Sequence, residues 1–195
     1  MEVSSSRITE ISSGKASSRK LMEGSTPSSR EMIYTVDEFG NLLALESRET
    51  LHFARSSKRH AAVIGMIQRS DGSYVVQWRA ANKLGGSRLD VSATTHVREN
   101  ETYEKALQRS FGNELRINVK VPLKHVFDFR YEEELGERKE NEYCKVYIGS
   151  YDGPYDPNPD EIDSIKFMGL QELKEFVRKN QAKSTKWLRE TVMRM

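Results

Sequence analysis

"DVSATTHVRENETYEKALQRSFGNELRI", running from Asp90 to Ile117, starts like a strand, turns, and continues as a helix. Tyr103, Ala106, Leu107, Phe111 and Leu115 recur at the i, i+3, i+4 spacing that puts apolar side chains on one face of a helix. Gly112 weakens that helix by about 1 kcal/mol relative to Ala. His96 sits at the turn, and Glu101, Glu104 and Glu114 follow on or near the helix. An imidazole at a turn with carboxylates on the next helix raises the question of a metal-dependent phosphate site.

The neighbouring segments frame this unit with strands. Upstream, the apolar run Ala61–Ile67 meets a Ser-Asp-Gly turn at 70–72, and "YVVQWR" follows as its partner, a hairpin with a clear turn signal. "EMIYTVDEFGNLLALESRE" predicts two more strands about a turn at Asp37–Gly40. "RLDVSATTHV" reads as one further strand. Downstream, "LKHVFDFRYEEE" and "NEYCKVYIGSYDG" predict two strands around a charged, loop-like span at 133–140. A Pro-broken loop, a short strand at "SIKFMGL" and helices at "LQELKEFVRKN" and "STKWLRETVMRM" complete the chain. Helices set between and after strands imply an α+β sandwich with a mixed β-sheet.

Composition narrows the class. The 195 residues suit one domain plus a tail. Residues 1–29 contain ten serines and few apolar positions, so they are expected to be disordered, with the domain over 30–195. Glu2, Glu10 and Glu23 argue against a transit peptide, which is poor in acids. A net charge of +2, with both signs interspersed, gives no global field for nucleic acid. No apolar stretch approaches the ~20 residues that span a bilayer. The single cysteine, Cys144, allows no internal disulfide. A cytoplasmic protein with no membrane or nucleic-acid partner is expected.

The chemistry-bearing residues are sparse. The four histidines are His52, His60, His96 and His125, and a lone histidine is more often a packing or surface residue than a ligand. Glu140 and Glu142 flank Asn141. On a strand, that i, i+2 spacing turns both carboxylates to one face, as a chelate needs. Taken alone, "GERKENE" is a solvated strand start. Imidazoles and carboxylates together suit Mn²⁺ or Zn²⁺. Arg79 and Lys83, in "WRAANK", are either surface cations or a pair that holds phosphate oxygens by charge-assisted hydrogen bonds.

The order of these features resembles the Nudix superfamily. Its hydrolase signature reads Gly, five residues, Glu, seven residues, then Arg-Glu-apolar-x-Glu-Glu-x-Gly-apolar. Glu101, Arg109, Phe111, Glu114 and Ile117 match it. Thr95, Ser110, Asn113 and Arg116 stand where the signature has Gly, Glu, Glu and Gly. Over about residues 32–190 the pattern is most similar to the type I isopentenyl-diphosphate isomerase branch, which also keeps only the last helix acid.

That resemblance implies a Nudix-type α/β/α sandwich and a set of site residues. His52, His60, His96, Glu114, Glu140 and Glu142 fall at metal-ligand positions, although the 52–60 spacing is one residue longer than the branch's. Arg79 and Lys83 match its diphosphate-binding pair. Trp187 matches the tryptophan of its Ser/Thr-Pro-Trp motif, with Lys186 in place of the proline. Thr94 stands where the isomerase has its catalytic cysteine. An aliphatic hydroxyl does not replace a thiol of pKa ~8.5 as a base. The implied catalytic positions are therefore Glu142, Glu114 and Thr94, with Mg²⁺ or Mn²⁺ as cofactor and Zn²⁺ as an alternative. The expected function is a metal-dependent enzyme acting on a small diphosphate-containing molecule, hydrolysis first. The alternatives are an isomerase with altered chemistry, and a non-catalytic ligand-binding module.

Overall fold

The structure, a computed structural model, describes residues 31–53 and 58–195. The expected tail at 1–29 lies outside the described residues. Strands β1 (Met32–Val36) and β2 (Leu42–Ser47) form the first hairpin. Asp37 closes its turn by accepting from the amides of Phe39 and Asn41, at 2.8 and 2.9 Å. A short helix α1 (Arg48–His52) follows, capped by the Ser47 side chain. The sequence pattern gave no sign of it.

β3 (His60–Gln68) is the central strand. It pairs in parallel with β8 (Arg138–Ser150) and antiparallel with β6 (Ala93–His96). Its end pairs with β4 (Tyr74–Arg79), which also carries β5 (Leu89–Asp90) and β9 (Ile162–Met168). β7 (Leu123–Leu135) pairs with β8 at the sheet's far side. The sheet is mixed, as expected.

β3 is apolar without alternation because both of its faces are covered. Ala61, Val63 and Ile67 pack with Leu107 and Phe111 of α2 (Tyr103–Leu115). Ala62, Ile64 and Met66 pack in a second core with Leu173 of α3 (Leu170–Lys179) and Leu188 and Val192 of α4 (Lys186–Arg194). This is the α/β/α sandwich. Burying each such side chain stabilises the fold by roughly 1.5–3 kcal/mol. Gly65 lets α2 approach: a Cβ there would lie 2.6 Å from Phe111 Cζ and 2.7 Å from Leu107 Cδ1.

Two expectations need correction. Residues 133–140 are not a loop, because β7 runs to Leu135 and β8 starts at Arg138 around Gly136. Glu132 and Glu134 are exposed while Tyr131 is buried, so the charge belongs to the solvated face of a long hairpin. "RLDVSATTHV" is two strands rather than one. Ser92 divides them, with its Oγ accepting from Ile67 N at 2.7 Å and donating to Val75 O. β5 thus stays with β4, and β6 crosses to β3. No helix among the described residues is long and apolar enough to cross a membrane.

A candidate metal and diphosphate site

Strand register assembles the site. His60 lies opposite Glu142 across β3 and β8, and Ala62 lies opposite both His96 on β6 and Cys144 on β8. With a period of two, His60, His96, Glu140 and Glu142 share one face of three adjacent strands. α1 brings His52 to the same place. The three imidazole centroids are each 5.0 Å from one another. Ligand atoms of His52, His60, His96 and Glu140 all lie within 4.8 Å of one another.

The donors are already turned inward. His52 Nδ1 is 2.6 Å from Arg48 O, and His60 Nδ1 is 3.2 Å from Lys58 O. A carbonyl can only accept, so Nδ1 carries the proton and each Nε2 offers a lone pair. Those two Nε2 atoms lie 3.1 and 3.5 Å from Glu140 Oε2. All three atoms are buried without a hydrogen-bond donor. Buried lone pairs facing a carboxylate require a cation or a proton between them, and three imidazoles with a carboxylate fit a divalent metal. His96 Nε2 sits 2.9 Å from Glu142 Oε1, so Glu142 adjoins the cluster.

The electrostatics agree with a site built for positive charge. Where a proton rather than an ion lies between Glu140 and the imidazoles, burial raises the Glu140 carboxyl, but hydrogen bonds from His52 and His60 overcome it and hold it well below the usual carboxylate range. Burial opposes protonation of His52, yet Glu140 lifts its pKa above the ordinary value. At His96 burial prevails over Glu142, and the pKa is lowered.

A cavity of about 620 Å³ opens beside this cluster, lined among others by Arg79, Lys83, Thr94, Glu142 and Trp187. Arg79 is paired with Asp90 and Lys83 with Glu161, each at 2.5 Å. Thr94 Oγ1 donates to Val63 O at 3.1 Å. Cys144 does not stand in for a thiol there. It is fully buried, and burial and Glu142 push its pKa well above the ordinary value.

Glu114 is not one of the four clustered residues. It lines the cavity but accepts from Gln77 Nε2 at 2.8 Å and from Ser110 Oγ. Burial outweighs those donors and lifts its pKa to about 7. His125 lies elsewhere, half-exposed and 2.6 Å from Asp128. Arg109 and Glu101 brace the turn that carries His96. The guanidinium bonds Glu101 at 2.6 and 2.9 Å and His96 O at 3.0 Å.

Sequence reasoning missed Tyr131, which lines the cavity opposite Glu142 in the β7–β8 register with its ring 6.0 Å from Trp187. Its only signal was the i, i+2 aromatic run Phe127, Phe129, Tyr131. It also missed Asp90 and Glu161, the acids that pair the two cations.

Residues 58–188 match the NUDIX domain family. An isopentenyl-diphosphate Delta-isomerase of Aromatoleum aromaticum is 29% identical over 160 residues, covering 81% of this chain and 82% of that one. A second isomerase of the same organism is 30% identical over 142 residues, covering 72% and 78%. Among solved structures, a Deinococcus radiodurans protein aligns with a TM-score of 0.68 at 22% identity, over 84% of this chain and 98% of its own. A MutT protein from Methanosarcina mazei aligns with a TM-score of 0.57 at 15% identity, over 69% and 90%. These structural likenesses establish the fold.

Proposed function

The chain belongs to the NUDIX family, and within it we propose a metal-dependent enzyme that hydrolyses the diphosphate bond of a small molecule. The observation that carries this reading is Thr94. Where the isomerase-like branch has a thiol, this chain has a hydroxyl committed to Val63 O. Isomerisation needs an acid and a base on opposite sides of the isoprenoid, and that hydroxyl supplies neither. Hydrolysis asks for less: charge on the phosphates, donors to hold them, and a base for water.

His52, His60, His96 and Glu140 would hold the ion, and the nitrogen-rich set favours Mn²⁺ or Zn²⁺ over Mg²⁺. An ion bound there would supply Lewis-acid charge and lower the pKa of water. Arg79 and Lys83 hold the non-bridging oxygens, Lys83 exchanging its part-exposed partner Glu161 for substrate. Glu142, beside His96, accepts the water proton. Water adds across P–O–P, and each half of the substrate leaves with one phosphate. A positioned base of this kind contributes roughly 10²–10⁴ in rate.

The names of the relatives favour a second reading, isomerisation of an isoprenoid diphosphate, because the match extends over four-fifths of the chain. To test the first, nucleoside and isoprenoid diphosphates are incubated with the protein and Mn²⁺, Mg²⁺ or chelator, and phosphate products are followed. Metal-dependent release that disappears in His96→Ala supports hydrolysis. No turnover of any of them, at protein concentrations near the substrate's, sinks it. Deuterium uptake into isopentenyl diphosphate from D₂O would favour the second reading.

A further inference from the structure

We infer that Asp90 is a positioning residue that sets the Arg79 guanidinium and the Trp187-bearing helix as one unit. The inference rests on the diphosphate reading above, in which Arg79 meets phosphate oxygens. Asp90 is fully buried on β5, opposite Gln77 on β4. One carboxylate oxygen accepts from Arg79 Nη1 at 2.5 Å. The other accepts from Val91 N and from Thr185 Oγ1, both at 2.8 Å. Thr185 is also fully buried, and it caps α4 by accepting from Leu188 N at 3.3 Å. Its own amide donates to Leu89 O at 3.0 Å.

The two ends of this link meet again above the cavity. Arg79 Cζ lies 5.5 Å from the Trp187 ring centroid, and Arg79 Nε donates to Leu84 O at 3.1 Å. Nε and Nη1 are thereby committed. Nη2 is left without a partner among the described residues. A guanidinium held on two of its nitrogens and within cation–π range of an indole meets a phosphate without first being ordered. One buried carboxylate therefore serves both the cation that binds phosphate and the aromatic that lines the rest of the cavity.

Removing the charge of Asp90 has two opposed consequences, and their sign is the test. If Asp90 merely neutralises Arg79, Asp90→Asn leaves a freer cation, and anion affinity rises. If Asp90 positions Arg79, affinity falls.

The experiment measures binding of methylenediphosphonate, a non-hydrolysable diphosphate, by calorimetry with saturating Mn²⁺. Turnover is not needed, so a failed hydrolysis assay does not affect it. Asp90→Asn is expected to bind at least about tenfold more weakly, the lower end of what losing an orienting partner costs a site. Its KM with any hydrolysed substrate should rise by a similar factor while kcat stays close to wild type. Thr185→Val should weaken binding and shift the Trp emission, and Thr185→Ser should restore both. Unchanged or tighter binding by folded Asp90→Asn overturns the inference, as does wild-type behaviour of Thr185→Val. A wild-type chain that binds no diphosphate removes the underlying reading and this inference with it.

Discussion

Glu140→Gln is the substitution that most cleanly separates a metal site from a buried ion-pair cluster. It keeps the shape of the side chain whose Oε2 faces His52 and His60 Nε2 at 3.1 and 3.5 Å, and it removes the charge. In the wild type, an ion at a hundred times its Kd stabilises the fold by about 2.7 kcal/mol. For a domain of this size each kcal/mol moves the melting temperature by roughly 2–4 °C, so a rise of about 5–11 °C is expected. If loss of the anionic ligand weakens binding about a hundredfold, the same ion concentration gives only about 0.4 kcal/mol, or roughly 1–2 °C. Without metal the two proteins should differ less, because the Gln amide donates to an imidazole Nε2 and offsets part of the lost attraction between Glu140 and His52. The assay is a thermal melt after chelator dialysis, with and without Mn²⁺ or Zn²⁺. Equal metal-induced shifts in both proteins, or none in the wild type, would show that the cluster is not a metal site.

Glu114, with its pKa lifted to about 7, keeps a proton in the folded chain that the unfolded chain loses near 4.5. Metal-free stability should therefore fall as pH rises through that window, by up to about 3 kcal/mol. Glu114→Gln should remove this part of the slope and melt higher than wild type at pH 8; parallel pH–stability curves would count against this. Gly65→Ala should cost about 2 kcal/mol through overpacking, because its Cβ meets Phe111 and Leu107. That lowers the melting temperature by roughly 4–8 °C, and an unchanged melt would mean that α2 moves away freely. Thr94→Cys should confer deuterium exchange on isopentenyl diphosphate if only the thiol is missing, as proton NMR would detect.

Much of this was legible because it is local. The alternation in "ENE" puts Glu140 and Glu142 on one face, and the run at 61–67 is apolar because two helix layers cover it. What was not legible depends on pairing across the chain. The partners of Arg79 and Lys83 are Asp90 and Glu161, and nothing near either cation indicates that it is neutralised. Glu114 looked like one ligand among six, and the sequence did not show that Gln77 on β4 and Ser110 one turn earlier donate to its carboxylate. His52 carried the odd spacing. The unexpected helix α1 explains how it reaches the cluster, since Nδ1 is held by Arg48 O one turn back. Residues 133–140 looked like a loop because charge was read without the register that exposes only alternate residues.

Reaction in H₂¹⁸O, with the phosphate products analysed by mass spectrometry, asks most directly whether this site breaks a diphosphate bond. The substrates are nucleoside and isoprenoid diphosphates, with Mn²⁺ present. Hydrolysis at the site places one ¹⁸O in one phosphate product per turnover, and none after chelation or in Glu140→Gln. Conversion of isopentenyl diphosphate to its isomer, with no ¹⁸O in any phosphate, would contradict the account.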